Sequence, residues 1–172
     1  EFVIPGLIDK VIVYYDKQMI PHVFAKNDHD LYKAQGYLTA KHRLWQLEFQ
    51  THAAAGRLSE ILGDVAVNYD RTQRRIGMVY GAEQGMKYME KYDRETLGFV
   101  HDYSDGVNAY INQLDPMNYP VEYKLLDYSP EKWTPKKSAL LLMYMTKMLA
   151  GRDHDLEYTN VCLLYTSDAA DD

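Results

Sequence analysis

The chain has 172 residues, 47% hydrophobic and 26% charged, with 19 basic against 25 acidic side chains and a net charge of −6. That length allows one domain with a buried core, and the composition excludes a wholly disordered chain. A lone cysteine, Cys162, excludes an internal disulfide, and the lack of a long positive face excludes a nucleic-acid binder held by phosphate contacts.

The longest apolar stretch, Ser138 to Met145, falls short of the roughly 18 apolar residues that span a bilayer. The opening Glu1-Phe2-Val3-Ile4 has neither an initiator Met nor a basic start. The sequence is therefore expected to begin inside a longer precursor or after a cleavage. Val11 to Tyr15 is β-branched and aromatic and predicts a strand; Ile20 to Ala25 predicts a second, with Pro21 restricting it to partial or edge pairing. The fold class that follows is mainly α with a small N-terminal β-hairpin.

Asn27 with Asp28 and Asp30 offers a helix cap and first-turn acids. Leu31, Ala34, Leu38, Trp45 and Phe49 then recur near the 3.6 period. Gly36 lies inside that helix, where it permits close approach of another backbone, and Ala53 to Gly56 ends it. Arg57 to Gly63 predicts one short helix. Asp70 with Gln73 resembles a capping box opening a third helix that carries Ile76, Val79, Tyr80, Met86 and Met89. Asp93 and Thr96 open a fourth, Val121 to Leu126 predicts a short one, and Thr134-Pro135 starts the last long helix. That helix is apolar on every side from Ala139 to Met145. A helix of this kind is buried all round, which implies a partner or further sequence to cover it. Thr166 to Asp172 has no apolar periodicity and is expected to be disordered. The stretch from Cys162 onward resembles translated adapter sequence, so 1–160 is taken as the folded segment and 161–172 as a non-native or disordered tail.

No nucleophile elbow, zinc helix, phosphate loop or dinucleotide glycine pattern is present. His22, His29, His42 and His52 read as surface or hydrogen-bonded residues, since their spacing makes no ligand set. Arg152-Asp153-His154-Asp155-Leu156-Glu157 is the one dense polar cluster. Its carboxylates suit a hard cation such as calcium, but composition alone favours a solvated helix end with an Arg–Asp pair.

A longer pattern is recognisable. Ile20-Pro21-His22-Val23-Phe24-Ala25, Asp30 and Ala34-Gln35-Gly36-Tyr37 are followed by Arg43-Leu44-Trp45-Gln46-Leu47-Glu48 and by Ala55-Gly56-Arg57-Leu58-Ser59-Glu60-Ile61-Leu62-Gly63. Gly106-Val107-Asn108-Ala109, Pro120-Val121-Glu122-Tyr123 and Trp133-Thr134-Pro135 complete the order. In sequence and spacing these resemble the α-chain opening of the penicillin acylase (penicillin amidase) family of N-terminal nucleophile hydrolases. Three positions depart from that pattern. Met19 stands where the family usually has Gly, so a different hairpin turn is expected. His42 stands for an Asp, and Lys137 for an acid that would complete a capping box with Thr134.

The resemblance implies the α-chain portion of an αββα N-terminal nucleophile hydrolase, periplasmic or secreted, made as a self-cleaving precursor. Its β chain would be the partner and would carry the nucleophile, leaving no catalytic residue in this chain. It further implies that Leu149 and Arg152 line an acyl pocket and that Glu157 gives a ligand to a structural calcium shared with the β chain. The N-acyl amide substrate would be a penicillin or related β-lactam, or an acyl-homoserine lactone. Arg43, Arg57 and Glu60 are expected to form helix-pinning ion pairs, and Asn108 and Glu122 to satisfy backbone groups at bends. Two rival readings are a non-catalytic helical binding or scaffold module and a metal-dependent hydrolase built on Asp153, His154, Asp155 and Glu157.

Overall fold

The computed structural model describes residues 3–150 and 154–168. A two-stranded antiparallel hairpin, β1 (Ile12–Tyr15) and β2 (Pro21–Phe24), precedes the helices. Its register runs from Ile12 opposite Phe24 to Tyr15 opposite Pro21, which keeps the donor-less Pro21 at the last pair of the ladder. The connecting turn corrects the expectation for Met19, whose φ is +62°. The Asp16 carboxylate accepts the N–H groups of Gln18 at 2.8 Å and Ile20 at 2.9 Å, while Met19 N–H donates to the Asp16 carbonyl at 3.1 Å. These bonds hold the left-handed turn although the residue is not glycine, at a cost of about 1 kcal/mol.

α1 (Asp28–Ala55) is 28 residues long, about 42 Å at 1.5 Å per residue. Asn27 caps it by accepting Asp30 N–H at 2.8 Å, and Gly56 ends it in the left-handed region at φ +66°. The helix is interrupted at Arg43 (φ −146°, ψ 31°). Arg43 was expected to pair with an acid. Its side chain is instead exposed at this kink, and among the described residues no carboxylate lies within 4.0 Å of it.

α2 (Ser59–Leu62) and a 3₁₀ turn (Gly63–Ala66) lead into α3 (Val67–Ile76) and α4 (Met78–Tyr92). The single third helix read from the sequence is thus two, broken at Gly77, which has φ +79°. Asp70 is not its cap. It is buried within α3, and its carboxylate accepts Leu58 N–H (2.9 Å), Ser59 N–H (2.8 Å) and Ser59 Oγ–H (2.6 Å), fixing the start of α2 instead. Two backbone donors of another turn win over the one its own helix offers. Burial works to raise Asp70, but these bonds outweigh it and hold the carboxyl below its ordinary range.

α5 (Arg94–Ile111) is capped by Asp93, which accepts Thr96 N–H at 3.1 Å. It crosses α1 closely. A Cβ on Gly36 would sit inside contact distance of the Tyr103 carbonyl oxygen, and one on Gly106 inside that of the Lys33 carbonyl oxygen. The expected close approach at Gly36 is therefore present, and it is reciprocal. α6 (Val121–Leu125), α7 (Pro135–Ala150) and α8 (Asp155–Asp168) complete the element order. The main core gathers Leu44, Leu47, Val107, Tyr123 and Trp133, and a second gathers Ala54, Met78, Ala82 and Leu140. α7 buries Leu140 but leaves Leu142, Met145, Met148 and Leu149 exposed, so this segment covers one side of the all-apolar helix. α8 passes residue 160 and continues through Thr166, where disorder was expected. Its bonds are local and require no tertiary face.

An ion network ties α1, the 126–134 segment and α7 together. Glu131 Oε1 accepts Arg57 Nη2 at 2.7 Å, and its Oε2 lies 2.9 Å from Lys137 Nζ; Arg57 also pairs with Glu60 at 2.6 Å, as the sequence suggested. Glu48, fully buried, accepts Tyr123 O–H and, at 2.8 Å, Glu131 N–H. Hydrogen bonds from Arg57, and then from Lys137, overcome partial burial and hold the Glu131 carboxyl at about 2. Burial pushes Glu48 the other way, upward, against the bonds from Tyr123 and Glu131.

Two outcomes follow from these contacts. Met19→Gly removes the left-handed strain and stabilises the chain by about 1 kcal/mol in urea unfolding; a loss of stability contradicts the strain. Glu131 is depressed, so its contribution is complete above its ordinary value of 4.5 and disappears as pH falls to about 2. Glu131→Gln therefore costs about 1–2 kcal/mol at pH 7. The gap between variant and wild type closes between pH 4.5 and about 2; a gap independent of pH contradicts the ionic role.

Candidate functional site

On α7, Ser138, Leu142, Met145 and Leu149 follow one another at helical spacing and share a face. Leu142 and Met145 form one wall of a groove of about 470 Å³, whose other walls include Tyr32, Phe99, Tyr103 and Trp133. Tyr32 stacks on Phe99 with centroids 4.9 Å apart. Trp133 is held from two sides. Asn108 accepts its N–H at 2.8 Å and donates to its carbonyl at 2.9 Å, while the indole N–H donates to Ser138 Oγ at 2.9 Å. Asn108 thus does what the sequence reading expected, pairing both backbone groups at a bend. At the groove's rim His29 packs against Phe99, and its Nδ1 is 2.5 Å from Asp102 Oδ2. The lining is apolar with few polar groups, the composition of a site for an apolar ligand or an apolar partner surface.

Leu149 extends the same stripe one turn past Met145 and is 80% exposed. Arg152, the second expected pocket residue, lies outside the described residues, as does Asp153. Glu157 stands in the first turn of α8, a separate helix, exposed and with its Oε2 3.0 Å from His154 Nδ1. Among the described residues no third carboxylate or imidazole joins that pair into a cluster. The rival hydrolase site on 153–157 therefore gains no ligand set here.

The sequence reading missed the cluster of Glu48, His52 and Glu131, whose ligand atoms lie within 4.8 Å of one another. Glu48 and His52 are four apart on α1, a readable spacing, but Glu131 comes from a distant loop with no local signal. His52 Nδ1 is 3.0 Å from the Glu48 carbonyl and its Nε2 is 3.7 Å from Glu131 Oε1. A metal does not fit this set. Glu48 is already taken by two donors, and Glu131 faces both Arg57 and Lys137, which supply the positive charge an ion would bring. The Tyr123 hydroxyl donates to the Glu48 carboxylate, and Thr51 Oγ1 donates to the Glu48 backbone carbonyl at 2.8 Å. The cluster is a closed network that fixes the segment leading to Trp133.

The comparisons with known proteins agree along most of the chain. The family model for penicillin amidase matches residues 10–171. The penicillin acylase 2 proenzyme of Pseudomonas sp. (strain SE83) is 36% identical over 139 residues, 81% of this chain and 17% of that protein. The penicillin G acylase of Escherichia coli is 25% identical over 160 residues, 90% of this chain and 18% of that one. The acyl-homoserine lactone acylase QuiP of Pseudomonas aeruginosa is 31% identical over 147 residues, 86% of this chain and 17% of the relative. Among solved structures, the thermostable penicillin G acylase from Alcaligenes faecalis superposes with a TM-score of 0.77 at 26% identity, covering 91% of this chain and 81% of that one. The chain spans about a sixth of the length of the curated relatives it matches. With the family model, these relatives and the fold in agreement, the chain belongs to the penicillin amidase family.

Proposed function

We propose that this chain is the α-chain segment of an amidohydrolase that cleaves N-acyl amides by an N-terminal nucleophile located on a separate β chain. The observation that carries the proposal is the exposed apolar stripe of α7. Leu142, Met145 and Leu149 present an uncovered surface beside the Trp133 groove, on a fold similar to penicillin G acylase. Its relatives include enzymes named for penicillins and for acyl-homoserine lactones, and both are amides with an apolar acyl part. A β-lactam side chain or an acyl-homoserine lactone is accordingly the proposed substrate class.

In this mechanism the β chain's N-terminal residue attacks the amide carbonyl, with its own α-amino group as base. An oxyanion hole stabilises the tetrahedral intermediate, and the C–N bond then breaks with a proton passing to the leaving amine; water next attacks the acyl-enzyme, releasing the carboxylic acid and returning the proton to the nucleophile. This chain supplies support. α7 forms one wall of the acyl pocket, with Leu149 as the apolar contact and Arg152 as the polar one. Glu157 gives one carboxylate to a calcium ion shared with the β chain, which would act in chain assembly rather than in the attack. Self-cleavage of a precursor and a periplasmic or secreted location belong to the same proposal. No helix of the described residues is long and apolar enough to cross a membrane.

One experiment with two variants of the full-length precursor tests the reading. Leu149→Trp changes the kcat/KM ratio between a long and a short acyl chain by about tenfold or more, with little effect on the smallest substrate. Glu157→Ala lowers bound calcium and slows chain maturation. A uniform loss on all substrates, or unchanged calcium and maturation, contradicts the corresponding role.

A further inference from the structure

We propose that the cavity between the N-terminal strap, residues 3–10, and α1 binds an aliphatic carboxylate, with the hydrocarbon part among apolar walls and the carboxylate at Lys10. The cavity is about 290 Å³. Ile4 and Leu7 of the strap form one side, Val13 of β1 bounds it, and Ala34 and Leu38 of α1 form the other side. It shares no lining residue with the Trp133 groove, so it is separate from the surface assigned to the acyl group.

The strap is pinned over α1 by polar ties along its length. Gln113 Nε2 donates to the Val3 carbonyl at 2.9 Å, and Lys33 Nζ donates to the Gly6 carbonyl at 3.0 Å. Asp30 accepts Ile8 N–H at 2.9 Å and Asp9 N–H at 2.8 Å. These ties set how far Ile4 and Leu7 stand from α1, and both side chains remain half-buried. An apolar space held open in this way forfeits dispersion contacts along its walls and gives water few polar partners. An apolar occupant restores those contacts. The lining carries a single charged side chain, Lys10, which is exposed at the rim. Among the described residues no carboxylate lies within 4.0 Å of its ammonium. The acids nearest to it in the strap and its anchor are engaged elsewhere. Asp9 pairs with Lys26 at 3.0 Å, and Asp30 is taken by the two strap N–H groups and by Asn27 Nδ2 at 2.7 Å. Apolar walls with one cation at the mouth match a molecule with an apolar tail and one negative charge. A multiply charged head such as a phosphate calls for several cationic donors, and the lining offers one. A carboxylic acid with an apolar chain is also what the proposed amidohydrolase releases. The choice of carboxylate therefore rests partly on that reading, whereas the site itself does not.

The test is a calorimetric titration of the folded protein, assembled with its partner chain, with octanoate at constant ionic strength. Acetate and octanol are run in parallel, since each keeps one half of the ligand. Wild type binds octanoate at a site where Lys10→Gln weakens it about tenfold and Lys10→Arg keeps it. Acetate and octanol bind that site at least about tenfold more weakly than octanoate. Lys17→Gln, which removes an equal charge in the hairpin turn, leaves octanoate binding unchanged. Lys10 is exposed, so its replacement keeps the fold. Octanoate can also enter the acyl pocket, and two readouts separate the sites. Lys10→Gln leaves kcat/KM on an N-acyl amide at the wild-type value, and Leu149→Trp leaves the Lys10-dependent binding in place. A protein that hydrolyses no N-acyl amide yet binds octanoate through Lys10 refutes the proposed activity and supports this site. Absence of Lys10-dependent binding, or equal weakening by Lys17→Gln, overturns the proposal.

Discussion

The crossing of α1 and α5 at Gly36 and Gly106 is the constraint on which the remaining geometry depends. Each glycine lies against a carbonyl oxygen of the other helix, Tyr103 for Gly36 and Lys33 for Gly106, so the two backbones approach as closely as peptide groups allow. That approach sets the depth at which Val107, with no exposed surface, meets Leu44 and Leu47. It also sets how far apart Tyr32 on α1 and Phe99 on α5 stand, and these stack to form a wall of the groove. A wider crossing would leave the core loose and the groove without its shape, whatever the other side chains did.

Around that crossing, buried carboxylates on the helices hold the segments that connect them. Asp30 accepts Ile8 N–H at 2.9 Å and Asp9 N–H at 2.8 Å, tying the N-terminal strap to α1. Asp70 does the same for Leu58 and Ser59, and Glu48 for Glu131. In each case a side chain on one helix satisfies backbone N–H groups that lie outside that helix. The last of these ties fixes the path into Trp133, and so connects the polar side of the fold to the groove.

Local chemistry was legible in the sequence wherever one residue decides one feature. The Asn27 and Asp93 caps, the Gly56 stop, the close approach at Gly36 and the clamp by Asn108 all follow from residue type and near neighbours. Features decided by distant partners were not. Asp70 looked like a cap of its own helix because its true donors lie eleven and twelve residues away. Met19 looked incompatible with a left-handed turn because the compensating Asp16 bonds are a property of the folded loop. The Glu48, His52 and Glu131 cluster spans 83 residues and left no pattern to find. The apolar character of α7 pointed to missing coverage, and the exposed Leu142, Met145 and Leu149 show where that coverage is lacking.

The most direct measurement of the central constraint is a double-mutant cycle on the two glycines. Unfolding free energies are compared for wild type, Gly36→Ala, Gly106→Ala and the double variant. The account predicts a loss of about 1–3 kcal/mol for each single change, since a methyl group must push the helices apart. It predicts a smaller loss for the double variant than the sum, because one separation relieves both clashes. Two single variants as stable as wild type would contradict the claim that this crossing sets the fold.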